Sequence, residues 1–167
     1  AFTPVGIAVL TVSDTRSLAD DRSGDLLVER LTTAGHTLAD RGIVKDEKYA
    51  VRAIVSRWIA DPDVDVVIST GGTGLTGRDG TPEAIGPLLD KEITGFGELF
   101  RAFCYTIIGT STLQSRSLAG VANATYCFVL PGSTSACRDA WDQILVHQLD
   151  LRTRPCNLVE LMPRLIE

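Results

Sequence analysis

Apolar runs and amphipathic stretches alternate along the chain. Val5-Gly6-Ile7-Ala8-Val9-Leu10-Thr11-Val12 is almost continuously apolar and β-branched, the pattern of a strand buried on both faces of a parallel sheet. A polar loop from Ser13-Asp14 to Asp20-Asp21 follows, then an amphipathic helix with Leu26, Leu27, Val28 and Leu31 near one face and Gly35 just past its end. Residues 37–44 predict a second strand. Beyond Asp46, the residues Ala50, Ile54, Trp58 and Ile59 recur near the helical period until Asp61-Pro62-Asp63 breaks it. Residues 64–70 predict a third strand, which runs directly into Gly71-Gly72-Thr73-Gly74. Thr81-Pro82-Glu83 predicts a helix start, with Thr81 as N-cap and Pro82 at the first helical position. Ala84, Ile85, Leu88 and Leu89 supply that helix's apolar side.

A further helix is expected from about Gly97 through Leu99, Phe100 and Phe103, then a Ser/Thr-rich loop over 109–116. A short strand and turn around 121–125 precede the last strong strand, Tyr126-Cys127-Phe128-Val129-Leu130. Pro131-Gly132-Ser133-Thr134 leads into a helix carrying Ala140, Trp141, Ile144, Leu145 and Leu149, and the tail after Asp150 is expected to pack along the surface. Strands alternating with helices imply a mostly parallel sheet covered on both faces, three layers in one domain over residues 1–167.

Composition narrows the partners. The 44% hydrophobic and 22% charged fractions are those of an ordinary soluble globular protein. A net charge of −5 argues against a nucleic-acid surface, which needs a basic patch. To hold a negative substrate, such a chain must concentrate N–H groups or cations locally, through helix N-termini, glycine loops or divalent metal ions. Cys104, Cys127, Cys137 and Cys156 form no C-x-x-C pair, which argues against structural zinc, and each reads as a small buried hydrophobe in a reducing compartment. No signal peptide and no membrane-spanning run is visible, so the cytoplasm is the expected location. His36 and His147 fall on predicted elements without partners and are assigned no catalysis.

Ligands of open α/β sheets bind beyond the carboxyl ends of the strands. Three features fall there: Ser13-Asp14, the stretch from Gly71 to Asp79, and Pro131-Gly132-Ser133. Gly71, Gly72 and Gly74 allow positive φ and close backbone approach, so that successive N–H groups can face an anion, with Thr73 and Thr76 adding hydroxyls. The loop is neither a Walker A sequence nor a dinucleotide fingerprint, and a tight strand-to-helix turn that simply needs glycine is the alternative. Asp79 suits Mg²⁺ or a surface pair or cap, and Asp46, between a strand and a helix, suits an N-cap or a metal ligand. Ser111, Thr112, Ser115 and Arg116 form a polar cluster able to fork onto a phosphate or bond a polar heterocycle, or to be an ordinary surface loop. Ser133 suits either an N-cap or an anion ligand.

Taken together, Thr11-Val12-Ser13-Asp14, Asp46-Glu47, Gly71-Gly72-Thr73-Gly74, Arg78-Asp79 with Thr81-Pro82-Glu83-Ala84, Gly95-Phe96-Gly97-Glu98 with Arg101, Ser115-Arg116 and Pro131-Gly132-Ser133 resemble the MoaB/MogA family of molybdenum-cofactor biosynthesis proteins. The resemblance covers nearly the whole chain, and segments 109–116 and 150–157 look like the MoaB branch. It implies an α/β/α sandwich with one antiparallel strand in an otherwise parallel sheet. It also implies molybdopterin binding and a molybdopterin adenylyltransferase activity, a nucleotidyl transfer from Mg-ATP to the terminal phosphate with release of pyrophosphate. By the same resemblance Asp46 and Asp79 match the acidic pair associated with Mg²⁺ and catalysis, Gly71–Gly74 lines the phosphate site, and Ser115 and Arg116 help hold molybdopterin. A homotrimer, or a hexamer as a dimer of trimers, is implied, with a downstream molybdenum-insertion protein as recipient of the product and no nucleic-acid or membrane partner. Asp79 favours an active enzyme over the alternative, a non-catalytic molybdopterin-binding or scaffold protein of the same fold.

Overall fold

The computed structural model describes residues 1–167. Its strands are β1 (Gly6–Val12), β2 (Thr37–Val44), β3 (Val66–Thr70), β4 (Lys91–Glu92), β5 (Leu118–Ala122) and β6 (Thr125–Leu130). They form one six-stranded sheet in the order β2-β1-β3-β6-β5-β4. β1 pairs in parallel with β2 and β3, and β3 with β6, while β5 is antiparallel to both β6 and β4. One strand, β5, therefore runs against the rest, as expected.

The central strands are apolar on both faces because both are covered. Along β1, Ile7 and Val9 belong to one core while Ala8, Leu10 and Val12 belong to the other. β6 divides in the same way, Phe128 and Leu130 against Cys127 and Val129. On the first face lie α1 (Arg22–Thr33), α4 (Thr94–Ile108) and α5 (Thr134–Ala140), contributing Leu27, Phe100 and Cys137 among others. On the second lie α2 (Lys48–Ile59) and α3 (Thr81–Ile85), contributing Val51, Val55, Trp58, Ala84 and Ile85. α5 continues through a π turn (Trp141–Leu145) into a last turn, α6 (Val146–Gln148).

Several expectations are corrected. Thr81 does not cap α3; Gly80 occupies that position, and the fully buried Thr81 hydroxyl instead donates to the Gly71 carbonyl at 2.9 Å. Asp46 does not cap α2 either, because the adjacent Glu47 carboxylate accepts the Ala50 N–H at 2.7 Å. α4 starts at Thr94, ahead of Gly97. Gly97 reads as a boundary in sequence, but it is an interior position where a Cβ would press on the Arg101 guanidinium and the Ser117 carbonyl. The stretch 109–116 is largely a 3₁₀ helix, Gly109–Gln114, entered after Gly109 turns the chain at φ +62°. The short edge strand β4 carries no apolar pattern and was not expected.

The tail does more than cover the surface. α7 (Leu158–Leu161) opens with a capping box between Asn157 and Glu160, and Val159 joins the main core while the Tyr126 hydroxyl donates to the Leu158 carbonyl at 2.7 Å. His36 has a structural partner: its Nδ1 accepts the Val5 N–H at 3.1 Å. Cys127 and Cys137 are buried, but Cys104 is half-buried and Cys156 exposed.

Candidate functional site

β1, β3 and β6 are adjacent and parallel, so the three loops at their carboxyl ends converge. The chain turns outward from β1 through α1 to β2 and returns through α2 to β3, which opens a crevice between β1 and β3.

The glycine loop at the centre is fixed through its carbonyl groups. The Gly71 carbonyl accepts the Thr81 hydroxyl, the Gly72 carbonyl accepts the Thr81 N–H at 3.1 Å, and the Thr73 carbonyl accepts the Arg116 N–H at 3.3 Å. Arg116 Nε donates to the Gly74 carbonyl at 2.9 Å and its Nη2 to the Asp79 carbonyl at 3.2 Å, while Nη1 pairs with Glu83. The N–H groups of Gly72, Thr73 and Gly74 donate to no protein acceptor. A loop whose carbonyls are occupied and whose N–H groups are free is polarised toward an anion. Glycine is required at two of its positions. Gly71 and Gly72 have φ of +103° and +72°, and a Cβ would strike the Val12 carbonyl at the first and Thr81 Oγ1 and the Asp46 carboxylate at the second.

Acids flank this loop. Asp46 Oδ1 accepts the Gly80 N–H at 3.2 Å, and Asp79 Oδ2 accepts the Thr76 N–H and hydroxyl at 3.0 and 2.8 Å. One oxygen of each, Asp46 Oδ2 and Asp79 Oδ1, accepts no hydrogen bond from the protein. Burial raises the Asp46 carboxyl above its ordinary value, the Gly80 N–H opposes this, and the charges of Asp79 and Asp14 raise it further. Asp14 behaves oppositely. The Arg78 guanidinium grips it through two 2.9 Å bonds, the Asp46 N–H adds a third at 3.0 Å, and its carboxyl falls to about 2. No three His, Cys, Asp or Glu side chains gather as a self-sufficient metal cage. Two carboxylates with free oxygens suit a hard cation completed by substrate phosphates and water.

Two cavities adjoin here, of ≈ 350 and ≈ 420 Å³, and they share Gly72, Gly132 and Ser133 as a common rim. Gly132 packs beside the glycine loop, where a Cβ would lie 3.4 Å from Gly71 Cα, in ordinary van der Waals contact. The first cavity is polar, with Ser13, Arg16, Arg22, Ser23 and Thr134 around the glycine loop. Arg16 and Arg22 are exposed and form no ion pair. The second cavity sets Phe100, Cys104, Ile108 and Ala136 against Thr73, Gly74, Asp79 and Ser115.

Of the residues singled out in sequence, Ser13, Gly71 and Gly72 lie in the first cavity, and Gly72, Thr73, Gly74, Asp79, Ser115 and Pro131 in the second. Gly132 and Ser133 lie in both, and the Ser133 hydroxyl also caps α5 by accepting the Ala136 N–H at 3.2 Å. Asp46 lines neither cavity but stands against Gly72 and Gly80. Arg116 lies behind the loop as its brace, and Ser111 is exposed and lines neither cavity. Sequence reasoning missed Arg22 and Ser23, whose signal was their place in the first turn of a helix beginning at a strand's carboxyl end. It also missed Phe100, Cys104 and Ile108, which recur every fourth residue on one stripe of α4.

Comparison with known proteins places this geometry. A family model described as "Probable molybdopterin binding domain" matches residues 8–151. Molybdenum cofactor biosynthesis protein B of Escherichia coli (strain K12) is 58% identical over 156 residues, which is 93% of this chain and 92% of that protein. The crystal structure of a molybdenum cofactor biosynthesis protein B superposes with a TM-score of 0.87 at 44% identity, over 89% of this chain and 93% of that one. The tungsten cofactor synthesizing protein MoaB from Pyrococcus furiosus superposes at 0.78 with 37% identity, covering 87% and 92% of the two chains.

Proposed function

The chain belongs to the molybdopterin-binding family of molybdenum cofactor biosynthesis proteins, and on that premise we propose that it binds molybdopterin and adenylylates its terminal phosphate with Mg-ATP, releasing pyrophosphate. The observation that carries this reading is the shared rim. A polar cavity with two unpaired arginines and a half-apolar cavity meet at Gly72, Gly132 and Ser133, beside Asp79. The first suits the phosphates of a nucleotide and the second a flat heterocycle. Their phosphates then meet at the rim.

In the reaction, an oxygen of the molybdopterin phosphate attacks the α-phosphorus of ATP, the bond to the bridging oxygen toward the β-phosphorus breaks, and pyrophosphate departs. Such a transfer needs positioning and charge neutralisation more than a strong base. The free N–H groups of Gly72, Thr73 and Gly74 oppose the charge on the phosphates, and Arg16 and Arg22 hold the nucleotide end. Asp46 and Asp79 would hold Mg²⁺ through their uncommitted oxygens, and the ion supplies neutralisation of the phosphates when bound. The reading also carries a homotrimer, or a dimer of trimers, and a molybdenum-inserting protein as the recipient of the product. The test is transfer of adenylate to molybdopterin in the presence of Mg²⁺. Its expected result is an adenylylated pterin together with pyrophosphate, and its absence with pterin bound overturns the enzymatic reading.

A further inference from the structure

Asp79 lies on residues 74–80, a segment with no helix or strand of its own, so its carboxylate is placed by the tethers that hold the segment. Arg116 holds the Asp79 carbonyl. The residues on either side of Asp79 are each fastened to a different loop. On one side, the Arg78 guanidinium forks onto Asp14 through Nε and Nη2, both at 2.9 Å. On the other, the Gly80 N–H donates to Asp46 Oδ1 at 3.2 Å. The Asp46 N–H then closes the circle by donating to Asp14 Oδ1 at 3.0 Å. Asp14 is itself well anchored, because the preceding Ser13 N–H donates to the Val44 carbonyl at 2.9 Å and prolongs the β1–β2 ladder.

The ring runs from Asp14 to Arg78, through Asp79 and Gly80 to Asp46, and back to Asp14, joining three loops that are far apart in sequence. It contains both acids with uncommitted oxygens. The Arg78 and Asp14 side chains are 64% and 36% exposed, and an ion pair in such surroundings contributes little to holding a fold together. A two-pronged guanidinium–carboxylate fork nevertheless fixes direction as well as distance. Its place beside Asp79 turns that precision toward the site.

We propose that Asp14 and Arg78 are positioning residues that hold Asp79 opposite Asp46, so that the free oxygens of the two acids face one cation. The inference rests on the reading that these acids hold Mg²⁺. Neither Asp14 nor Arg78 touches the reacting atoms. Charge alone would give another pattern: R78Q removes a positive charge near the acids and would tighten a cation, whereas D14N removes a negative one and would loosen it. Loss of the clamp loosens the cation in both. The D14N amide keeps an acceptor for the Asp46 N–H but turns a donor toward the guanidinium, which breaks the fork.

The test is a Mn²⁺ titration, followed by water-proton relaxation, of wild type, R78Q, D14N and the double variant with one equivalent of ATP. Molybdopterin titrations of the same four proteins run beside it. Each variant should weaken Mn²⁺ binding by about 10-fold, as expected when an outer partner of a metal ligand is lost, and should keep wild-type molybdopterin affinity. The double variant should lose no more than either single one, because all three break the same link. Tighter Mn²⁺ binding by R78Q, or unchanged binding by both single variants, overturns the inference. So does a double variant whose loss is the product of the two single losses. Equal loss of Mn²⁺ and molybdopterin binding also overturns it, as the mark of a collapsed loop. A wild type that binds molybdopterin but no Mn²⁺ overturns the cation reading beneath it as well.

Discussion

Asp46 and Asp14 are two carboxylates of one crevice that their surroundings drive in opposite directions. Asp14 is held by Arg78 and by the Asp46 N–H, and its carboxyl lies at about 2. Asp46 is partly desolvated beside like charges, and its carboxyl is raised. The stability consequences differ in sign. The contribution of Asp14 is fully present above its ordinary value of 3.8 and disappears as the pH falls through about 2. Asp46 opposes folding above its own raised value and ceases to do so below 3.8. D14N should therefore melt below wild type at pH 7, with the difference closing as the pH approaches 2, whereas D46N should melt at or above wild type at pH 7. Melting curves of both variants from pH 7 to pH 2 check this, and a D46N protein less stable than wild type at pH 7 would count against the charge arrangement. Asp46 was legible in sequence as an acid at a strand-to-helix junction. Its cross-loop bond to the Gly80 N–H was not, because the two residues meet only once β1, β2 and β3 are side by side.

The glycine loop depends on an element far along the chain. Arg116 lies just beyond the 3₁₀ segment, yet its guanidinium holds the Gly74 and Asp79 carbonyls and the Glu83 carboxylate together. Lysine has one ammonium and cannot reproduce that planar fork. R116K should cost about 1–3 kcal/mol in denaturant unfolding, the loss of one or two charge-assisted bonds, and should weaken molybdopterin and ATP binding together by loosening the loop. An unchanged stability would show that the brace carries no load. The strands that position this loop were legible because both faces are buried, as in β1, β3 and β6. The elements that read poorly have local signals that mislead. Gly97 resembles a boundary but serves close packing inside α4, and the Ser/Thr-rich stretch after Gly109 resembles a loop but closes 3₁₀ turns. β4 is defined by what it pairs with, so no periodicity announces it, and the four-residue α7 is too short for a periodic pattern, its one local signal being the Asn157–Glu160 capping box.

For the whole molecule, the layered sheet and the convergence of three loops followed from the alternation of strands and helices, while the division into two cavities depended on side chains of α1 and α4 that read as surface and core. Leu99, Tyr105, Ile107, Ile108 and Leu113 are all exposed along one segment, Leu113 at 83%. Apolar exposure of this kind marks a contact surface and supports the proposed trimer. Light scattering should give three or six times the 18.0 kDa chain mass, and L113E should lower that number; a wild-type monomer would contradict the assembly. No helix is long and apolar enough to cross a membrane. Adenylyl transfer is proposed to occur at the rim between the cavities, beside Asp79. Its most direct measurement is a single-turnover incubation of wild type and D79N with molybdopterin, Mg²⁺ and α-labelled ATP, with bound pterin measured in the same samples. The asparagine amide oxygen can still accept from Thr76, so the loop is retained while the charge is lost. Wild type should give labelled pterin, and D79N a rate lower by about 10²–10³-fold or more, with pterin binding intact in both; wild-type protein that binds pterin yet transfers no label would contradict adenylyl transfer at this site.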